Sequence, residues 1–389
     1  MELKKNSNYQ FDVFFVFYSL TLRVKGGREV EFTLLKELAK EGYKVGALFI
    51  RDIDHSLYKM IKCDTLKNYN NSKGVSLRIR NYITNNLINS TIGYNLLLPL
   101  LRRIYGVKDN SKYFLKGCNI MFGSKVPNKV TAKYFVATGW KTAFFVEKKS
   151  TTGRKFHIIH HDERGLNHPL SNLEGQAYAL NIDKIVINKA VLETFKSVAV
   201  KKITIGINRD KYYLTNKPEN HEDNEILVPL RKDPSKGAKY AIEAMKMIHE
   251  VDKNVRFTAF GDFPNIQIPD FVNFLGWISD EELIKLYSRA AIIIIPSLLE
   301  GFCLPGLEAM ACGCTLITTD NIGIREYAEN DKNCKIVPVM DPIAIKDASM
   351  FLLKNKKFRV NLAYNGAIDA SKYNFQRMCN EFKVALGIT

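Results

Sequence analysis

The sequence predicts an α/β protein of two domains, each built on a parallel β-sheet. Short apolar runs alternate with helix-length amphipathic segments along both halves of the chain, the pattern of βα units whose crossovers leave neighbouring strands parallel. Residues 291–295, Ala-Ile-Ile-Ile-Ile, are apolar without interruption, as a strand covered on both faces must be. The chain has 389 residues, more than one core ordinarily holds, whereas two halves of about 200 residues can each bury an interior.

In the first half, strands are expected at 11–17, 43–50, 119–122, 133–136, 143–146, 156–160 and 184–187, with a helix at 29–41 after a Gly-Gly pair. In the second half they are expected at 225–230, 255–260, 271–275, 291–295, 315–318 and 335–339, with a helix at 238–249. The polar stretch 215–224 is rich in Asn, Asp, Glu and Pro and is the candidate linker. The expected domains are therefore 1–207 and 208–370, with a final helix at 371–389 packing back on the first.

The hydrophobic fraction of 46% is that of a soluble globular protein. No apolar stretch reaches the roughly 20 residues that span a bilayer, and residues 1–10 are too polar for a secretory leader. The seven cysteines, Cys63, Cys118, Cys303, Cys312, Cys314, Cys334 and Cys379, lack the spacing of a zinc site or a disulfide framework. Cys312 and Cys314 read as small core residues. A reduced cytoplasm is the expected compartment.

Charge is unevenly placed. The net +17 resides entirely in the first half: residues 1–207 carry 34 Lys or Arg against 16 Asp or Glu, and residues 208–389 carry 23 against 24. Residues 51–150 alone hold 18 basic and 5 acidic side chains. Between Ser76 and Gly106 the basic residues are mixed with aliphatic and aromatic ones, as in an element lying at a membrane surface. Each basic residue near an anionic leaflet contributes about 1 kcal/mol, so a few on one face would hold the protein peripherally. A solvated basic face over a buried apolar one is the plainer alternative. No aromatic RNA-binding signature accompanies the charge, so nucleic acid is not expected as a partner.

Chemistry concentrates between Ile292 and Thr318. Pro296 and Ser297 end the apolar run, so Glu300 stands on the loop leaving a strand's carboxyl end, the edge where open parallel sheets bind ligands. Pro305 suits the first turn of a helix, Glu308 is expected in that turn, and Gly313 closes it. Amides around Cys303, Leu304 and Gly306 would form a positive helix start suited to phosphate. Two carboxylates beside an anion hole call for a ligand with both phosphate and hydroxyls, such as a nucleotide sugar. Glu308 as a mere balance to the helix dipole is the bland alternative.

This segment resembles the E-x7-E element of retaining glycosyltransferases of family 4, and further resemblances follow in that family's order. Lys25-Gly26-Gly27-Arg-Glu-Val-Glu31 is similar to its first glycine turn, and 203–208 with Tyr212 to the segment ending its first domain. Leu230-Arg231-Lys232-Asp-Pro-Ser-Lys236-Gly237 resembles the start of its second domain, Thr258-Ala-Phe-Gly261-Asp262 a glycine strand end, and 274–283 the element near the nucleotide base. The resemblance implies the GT-B fold, two Rossmann-like domains whose sheets face across a cleft. It also implies a retaining, metal-independent sugar transfer with no cofactor beyond the nucleotide sugar. Lys236 and an Arg would hold the donor diphosphate with amides at Cys303 and Leu304; the spacing leaves Arg231 and Lys232 both open. Gly261 would line the donor site, Glu308 would hold the ribose, Glu300 the transferred sugar, and Gly26 and Gly27 the acceptor side. Acceptors in such a family are glycans, often lipid-linked, which with the charge places the protein at the inner face of the cell membrane.

His157-Ile-Ile-His160-His161-Asp162-Glu163 delivers imidazoles and carboxylates to a strand end. The resemblance implies a His there close to the transferring sugar. Alternation along a strand forbids His160 and His161 from sharing one face; His161, beside Asp162, is slightly preferred, and Asp162 would accept a proton from an acceptor hydroxyl. A histidine packed at the domain rim is the alternative. The D-x-D match Asp52-Ile-Asp54 falls in the first domain, away from the expected donor site. Two other classes stay open: a non-catalytic GT-B partner or binding subunit, and a sugar-nucleotide epimerase.

Overall fold

The computed structural model describes residues 9–18, 27–50, 117–123, 125–162, 171–195, 200–262 and 266–388. Gly26, Asp52, Asp54, Glu163 and the basic stretch 76–106 lie outside the described residues. The chain forms two compact units, Met1–Thr204 with Met378–Thr389, and Ile205–Arg377.

The first unit holds a parallel sheet of β1 (Phe11–Phe17), β2 (Val45–Ile50), β3 (Asn119–Gly123), β4 (Ala132–Ala137), β5 (Arg154–Ile159), β6 (Asp183–Val186) and β7 (Val200–Lys202). Their order is β3-β2-β1-β4-β5-β6-β7. Helices α1 (Gly27–Lys40), α2 (Trp140–Glu147), α3 (Ser171–Ala179) and α4 (Lys189–Thr194) accompany it. Central β1, Phe-Asp-Val-Phe-Phe-Val-Phe, is buried except at Asp12, and its alternate rings serve opposite faces. Phe14 meets Phe135 on one face, while Phe17 stacks on Phe49 on the other with centroids 4.9 Å apart.

The second unit repeats the plan with β8 (Glu222–Leu230), β9 (Arg256–Gly261), β10 (Val272–Phe274), β11 (Ala290–Ile295), β12 (Thr315–Thr319) and β13 (Lys335–Val337). These run parallel in the order β10-β9-β8-β11-β12-β13. Helices α5 (Ala238–Val251), α6 (Asp280–Tyr287), α7 (Leu304–Ala311), α8 (Pro342–Lys354) and α9 (Lys356–Ala370) pack around it. Helix α5 buries Ala238, Ala241, Ile242, Met245 and Ile248, the one-sided stripe that docks a helix on a sheet. Helix α6 opens with a capping box between Ser279 and Glu282. The chain winds outward from β8 to β10 and then crosses back to β11. Strands β8 and β11 therefore flank the point where connections diverge, the place where open parallel sheets bind ligands.

The last helix, α10 (Phe375–Leu386), belongs from Met378 onward to the first unit. Phe382 stacks on Phe15 with centroids 5.8 Å apart, Lys383 pairs with Glu41 at 2.6 Å, and Arg154 donates to the Leu386 carbonyl at 3.0 Å.

Two expectations are corrected, and one strand is added. Residues 143–146 are not a strand but part of α2, which is buried from Trp140 to Val146 except at Lys141. A short, wholly buried apolar run carries no period to separate helix from strand, and the parallel pairing of β4 with β5 requires a crossover between them. The polar stretch 215–224 is not the linker: the units divide at Thr204 and Ile205, and β8 already begins at Glu222. Strand β7 was not anticipated, because Val-Lys-Lys at a sheet edge has no apolar run to betray it.

His157 on β5 is buried, stacked on Tyr178 with centroids 5.9 Å apart, and faces Lys184 of β6 in register. Burial, with Lys184 and His160 adding to it, pushes its imidazole down to about 3. The folded state thus holds His157 neutral while the unfolded chain binds a proton below about 6.5, so stability falls as pH drops between those values. Between pH 7 and 5 this group should remove roughly 2 kcal/mol. Urea unfolding of His157→Phe should show a correspondingly shallower acid loss than the parent chain; equal slopes would mean that another group governs the acid sensitivity.

Candidate functional site

Four strand ends meet at the carboxyl edge of the second sheet. After β8 the chain passes Arg231 to a short 3-10 turn, Pro234–Lys236, whose start is capped by Asp233 accepting from the Ser235 amide at 2.9 Å. Gly237 follows with φ +69°, and a Cβ there would lie 1.9 Å from the Pro296 carbonyl oxygen. Only glycine permits that approach. The Leu298 amide donates to the Ser235 carbonyl at 2.7 Å, joining the loops after β8 and β11.

That junction sets the polar centre. The Lys236 ammonium reaches Glu300 Oε2 at 2.9 Å and the Leu299 carbonyl at 3.4 Å. The Ser297 hydroxyl donates to the other oxygen, Glu300 Oε1, at 2.8 Å. The Ser297 carbonyl accepts from the Thr319 hydroxyl at the end of β12. The Glu300 amide donates to Asn321 at 3.3 Å.

Arg231 stacks its guanidinium over Trp277 at 4.5 Å, whereas Lys232 is exposed. Of the two cations the spacing left open, Arg231 is thus the one held beside the strand ends. Gly261, at the end of β9 with φ +123°, lies so close that a Cβ would stand 2.3 Å from the Leu230 carbonyl. Its amide donates to Gly276 at 2.7 Å, drawing in the loop that carries Trp277.

Helix α7 begins at Leu304 with Pro305 in its first turn, and its N-cap Cys303 is left-handed with no side-chain cap. The first amides of such a helix are an anion-binding start. The Tyr327 hydroxyl donates to the Cys303 carbonyl at 2.6 Å and clamps the turn. Burial pushes the Cys303 thiol up to about 12, so it is a packed thiol rather than a nucleophile. Cys312 and Cys314 are likewise buried.

Glu308 departs from expectation. Because α7 starts at Leu304, Glu308 lies beyond the first turn, where the helix dipole has faded. Dipole balance therefore does not account for it. It is buried, and its charge adds to burial in raising the nearby Tyr287 phenol.

In the first unit, Gly27 opens α1 and His160 follows β5. His160 Nε2 lies 3.0 Å from Glu31 Oε1, on the first turns of α1. Burial raises the Glu31 carboxyl against the opposing pull of His160 and Arg28. His161 and Asp162 come next, both partly buried, with the Tyr178 hydroxyl 3.4 Å from the His161 carbonyl. The structure thus brings Lys236 to Glu300 and Arg231 to Gly261, and sets Cys303, Leu304 and Glu308 on one turn and helix.

Four residues escaped sequence reasoning: Ser297, Trp277, Tyr327 and Glu31. Ser297 precedes Glu300 by three positions at a strand end, a spacing at which a hydroxyl can reach back. Glu31 closes the very glycine motif already singled out. Trp277 lies within the segment 274–283 already singled out, whereas Tyr327 carries no local signal, since its partner lies on another strand's loop. Among the described residues no group of three or more His, Cys, Asp or Glu is placed to hold a metal ion, and no helix is long and apolar enough to cross a membrane.

Residues 214–369 match the family model described as Glycosyl transferases group 1. The chain is 26% identical over 212 residues to a Campylobacter jejuni N,N'-diacetylbacillosaminyl-diphospho-undecaprenol alpha-1,3-N-acetylgalactosaminyltransferase, covering 49% of this chain and 56% of that protein. It thus spans about half the length of that curated relative. An uncharacterized glycosyltransferase of Methanocaldococcus jannaschii is 24% identical over 371 residues, covering 91% of this chain and 89% of that protein. Among solved structures, Anabaena HepE in complex with UDP and glucose superposes with a TM-score of 0.65 at 13% identity, over 97% of this chain and 100% of that one. The two parallel-sheet units and this solved neighbour make the fold GT-B.

The Gly237 contact offers a direct check. Gly237→Ala should clash with Pro296 and strain φ, costing about 1–3 kcal/mol and parting Lys236 from Glu300. A melting temperature equal to that of the parent chain would show that the two loops are not locked as described.

Proposed function

We propose that this chain is a retaining glycosyltransferase of family 4 that moves a sugar from a nucleoside diphosphate sugar to a hydroxyl of a lipid-linked glycan. The observation that carries the proposal is the joining of Lys236, Glu300 and Ser297 at the switch point of the second sheet, beside the uncapped start of α7. Arg231 and Lys236 would hold the donor diphosphate, with the amides of Cys303 and Leu304 on its distal phosphate and Gly261 lining the approach. Glu308 would accept from the ribose hydroxyls and Glu300 from those of the transferred sugar.

As the bond from the anomeric carbon to phosphate breaks, charge grows on the departing diphosphate. Cations and amides already aimed at it stabilise that state more than the ground state. The acceptor oxygen bonds to the anomeric carbon on the face the phosphate leaves, and its proton passes to the departing phosphate. Configuration is thereby retained, with no metal or other cofactor in the proposed step. The family resemblance gives His161 or His160, with Asp162, a role in the transfer and Gly26 and Gly27 one on the acceptor side.

Support for a lipid-linked acceptor comes from the Campylobacter relative, whose name specifies a diphospho-undecaprenol substrate. The strongly basic balance of residues 1–207 suits peripheral contact with an anionic cytoplasmic membrane surface. Surface polysaccharide or glycoconjugate synthesis is the setting that fits both.

Thermal shift with UDP, GDP, dTDP and their sugars tests the donor site. A ligand at 100 times its dissociation constant adds about 2.7 kcal/mol, and the shift should vanish in Lys236→Ala and Glu308→Ala. No shift with any nucleotide would remove the transferase assignment. Transfer to a polyprenyl-diphosphate saccharide, assayed with the nucleotide sugar that binds, tests the acceptor; transfer only to a water-soluble glycan would exclude the lipid-linked part.

A further inference from the structure

Glu300 is held at both oxygens by unlike partners. Oε2 takes the Lys236 ammonium at 2.9 Å, and Oε1 takes the Ser297 hydroxyl at 2.8 Å. Lys236 extends a flexible four-carbon stem from a short turn, and its side chain is 30% exposed. Water reaches the pair, which weakens it and leaves it exchangeable. Ser297 is 3% exposed and stands two residues past β11, its carbonyl tied to Thr319 at the end of the neighbouring strand. One partner is therefore free to leave and the other is not.

We infer that Ser297 is the positioning residue that keeps Glu300 aimed at the donor sugar when Lys236 is handed over from Glu300 to the donor diphosphate. The inference rests on the donor-site proposal above. A diphosphate carries more charge than a carboxylate and offers several acceptor oxygens, so it draws the ammonium away. Losing Lys236 uncovers Glu300 Oε2, which becomes the acceptor for a sugar hydroxyl. The Ser297 hydroxyl, still on Oε1, prevents the carboxylate from swinging after the lysine. Phosphate binding and sugar recognition are thus coupled: the sugar finds its acceptor only once the phosphate is seated. In the unliganded protein the same carboxylate competes with phosphate for Lys236.

Two variants separate this from simple packing. Titration calorimetry on the full chain would use the tightest-binding of UDP, GDP and dTDP, and that nucleotide's sugar conjugate. Glu300→Gln removes the competing anion but keeps an oxygen for Ser297, so the bare diphosphate should bind about five- to tenfold more tightly. Ser297→Ala should leave the bare diphosphate within about twofold. It should reduce the extra affinity conferred by the sugar about tenfold and lower kcat more than it raises KM. A structural defect would instead weaken both ligands together and lower the melting temperature. Unchanged or weaker diphosphate binding by Glu300→Gln would overturn the handover. Equal losses of diphosphate and sugar conjugate in Ser297→Ala would overturn the positioning role. If no nucleotide binds the parent chain, the donor-site proposal itself falls, and that outcome is distinct from either.

Discussion

The contact on which the second unit's site depends is the approach of Gly237 to the Pro296 carbonyl, which leaves no room for a Cβ. Strands β8 and β11 lie side by side because the chain winds outward from β8 and then crosses back. Their outgoing loops start only a strand spacing apart, about 4.8 Å. A side chain at Gly237 would force those loops to separate. Without one, Lys236 and Glu300, 64 positions apart in sequence, come within 2.9 Å. The rest of the polar centre is built around that pair.

The surroundings hold this pair in place through further contacts. Tyr327 fixes the carbonyl of the left-handed Cys303, burial keeps that thiol protonated, and Thr319 pins Ser297. Gly261 folds the loop of β9 over the end of β8, and Trp277 flattens Arg231 against it. Cations thus stand ready beside an uncapped helix start, and each oxygen of the adjacent carboxylate has a hydrogen-bond partner. Preorganisation of this kind stabilises developing charge because the dipoles need not reorient during reaction.

Much of this was legible beforehand, for reasons specific to each residue. Glu300 was readable because an unbroken apolar strand followed by Pro-Ser fixes where the loop begins. Cys312 and Cys314 were readable as core because nothing in their spacing suggested ligation, and both are buried. Glu308 was placed in the wrong turn because one residue of uncertainty in a helix start is enough to move it across a turn boundary. Residues 143–146 were misread because a helix buried on all sides has lost the period that marks a helix. The His160–Glu31 contact was invisible because its partners lie 129 positions apart, on a helix start and a strand end.

The sequence by itself determined the two parallel sheets, since alternation of apolar runs with amphipathic segments is a local pattern and crossover chirality leaves few ways to wind it. It also determined which loops bear carboxylates and cations, since strand ends are marked by Pro, Gly and Ser. Only the tertiary structure decided which of those groups touch. That Lys236 meets Glu300, that Ser297 holds the other oxygen, and that Arg231 rather than Lys232 is stacked all depend on strand order. Strand order is set by packing of whole βα units, and no stretch of neighbouring residues encodes it.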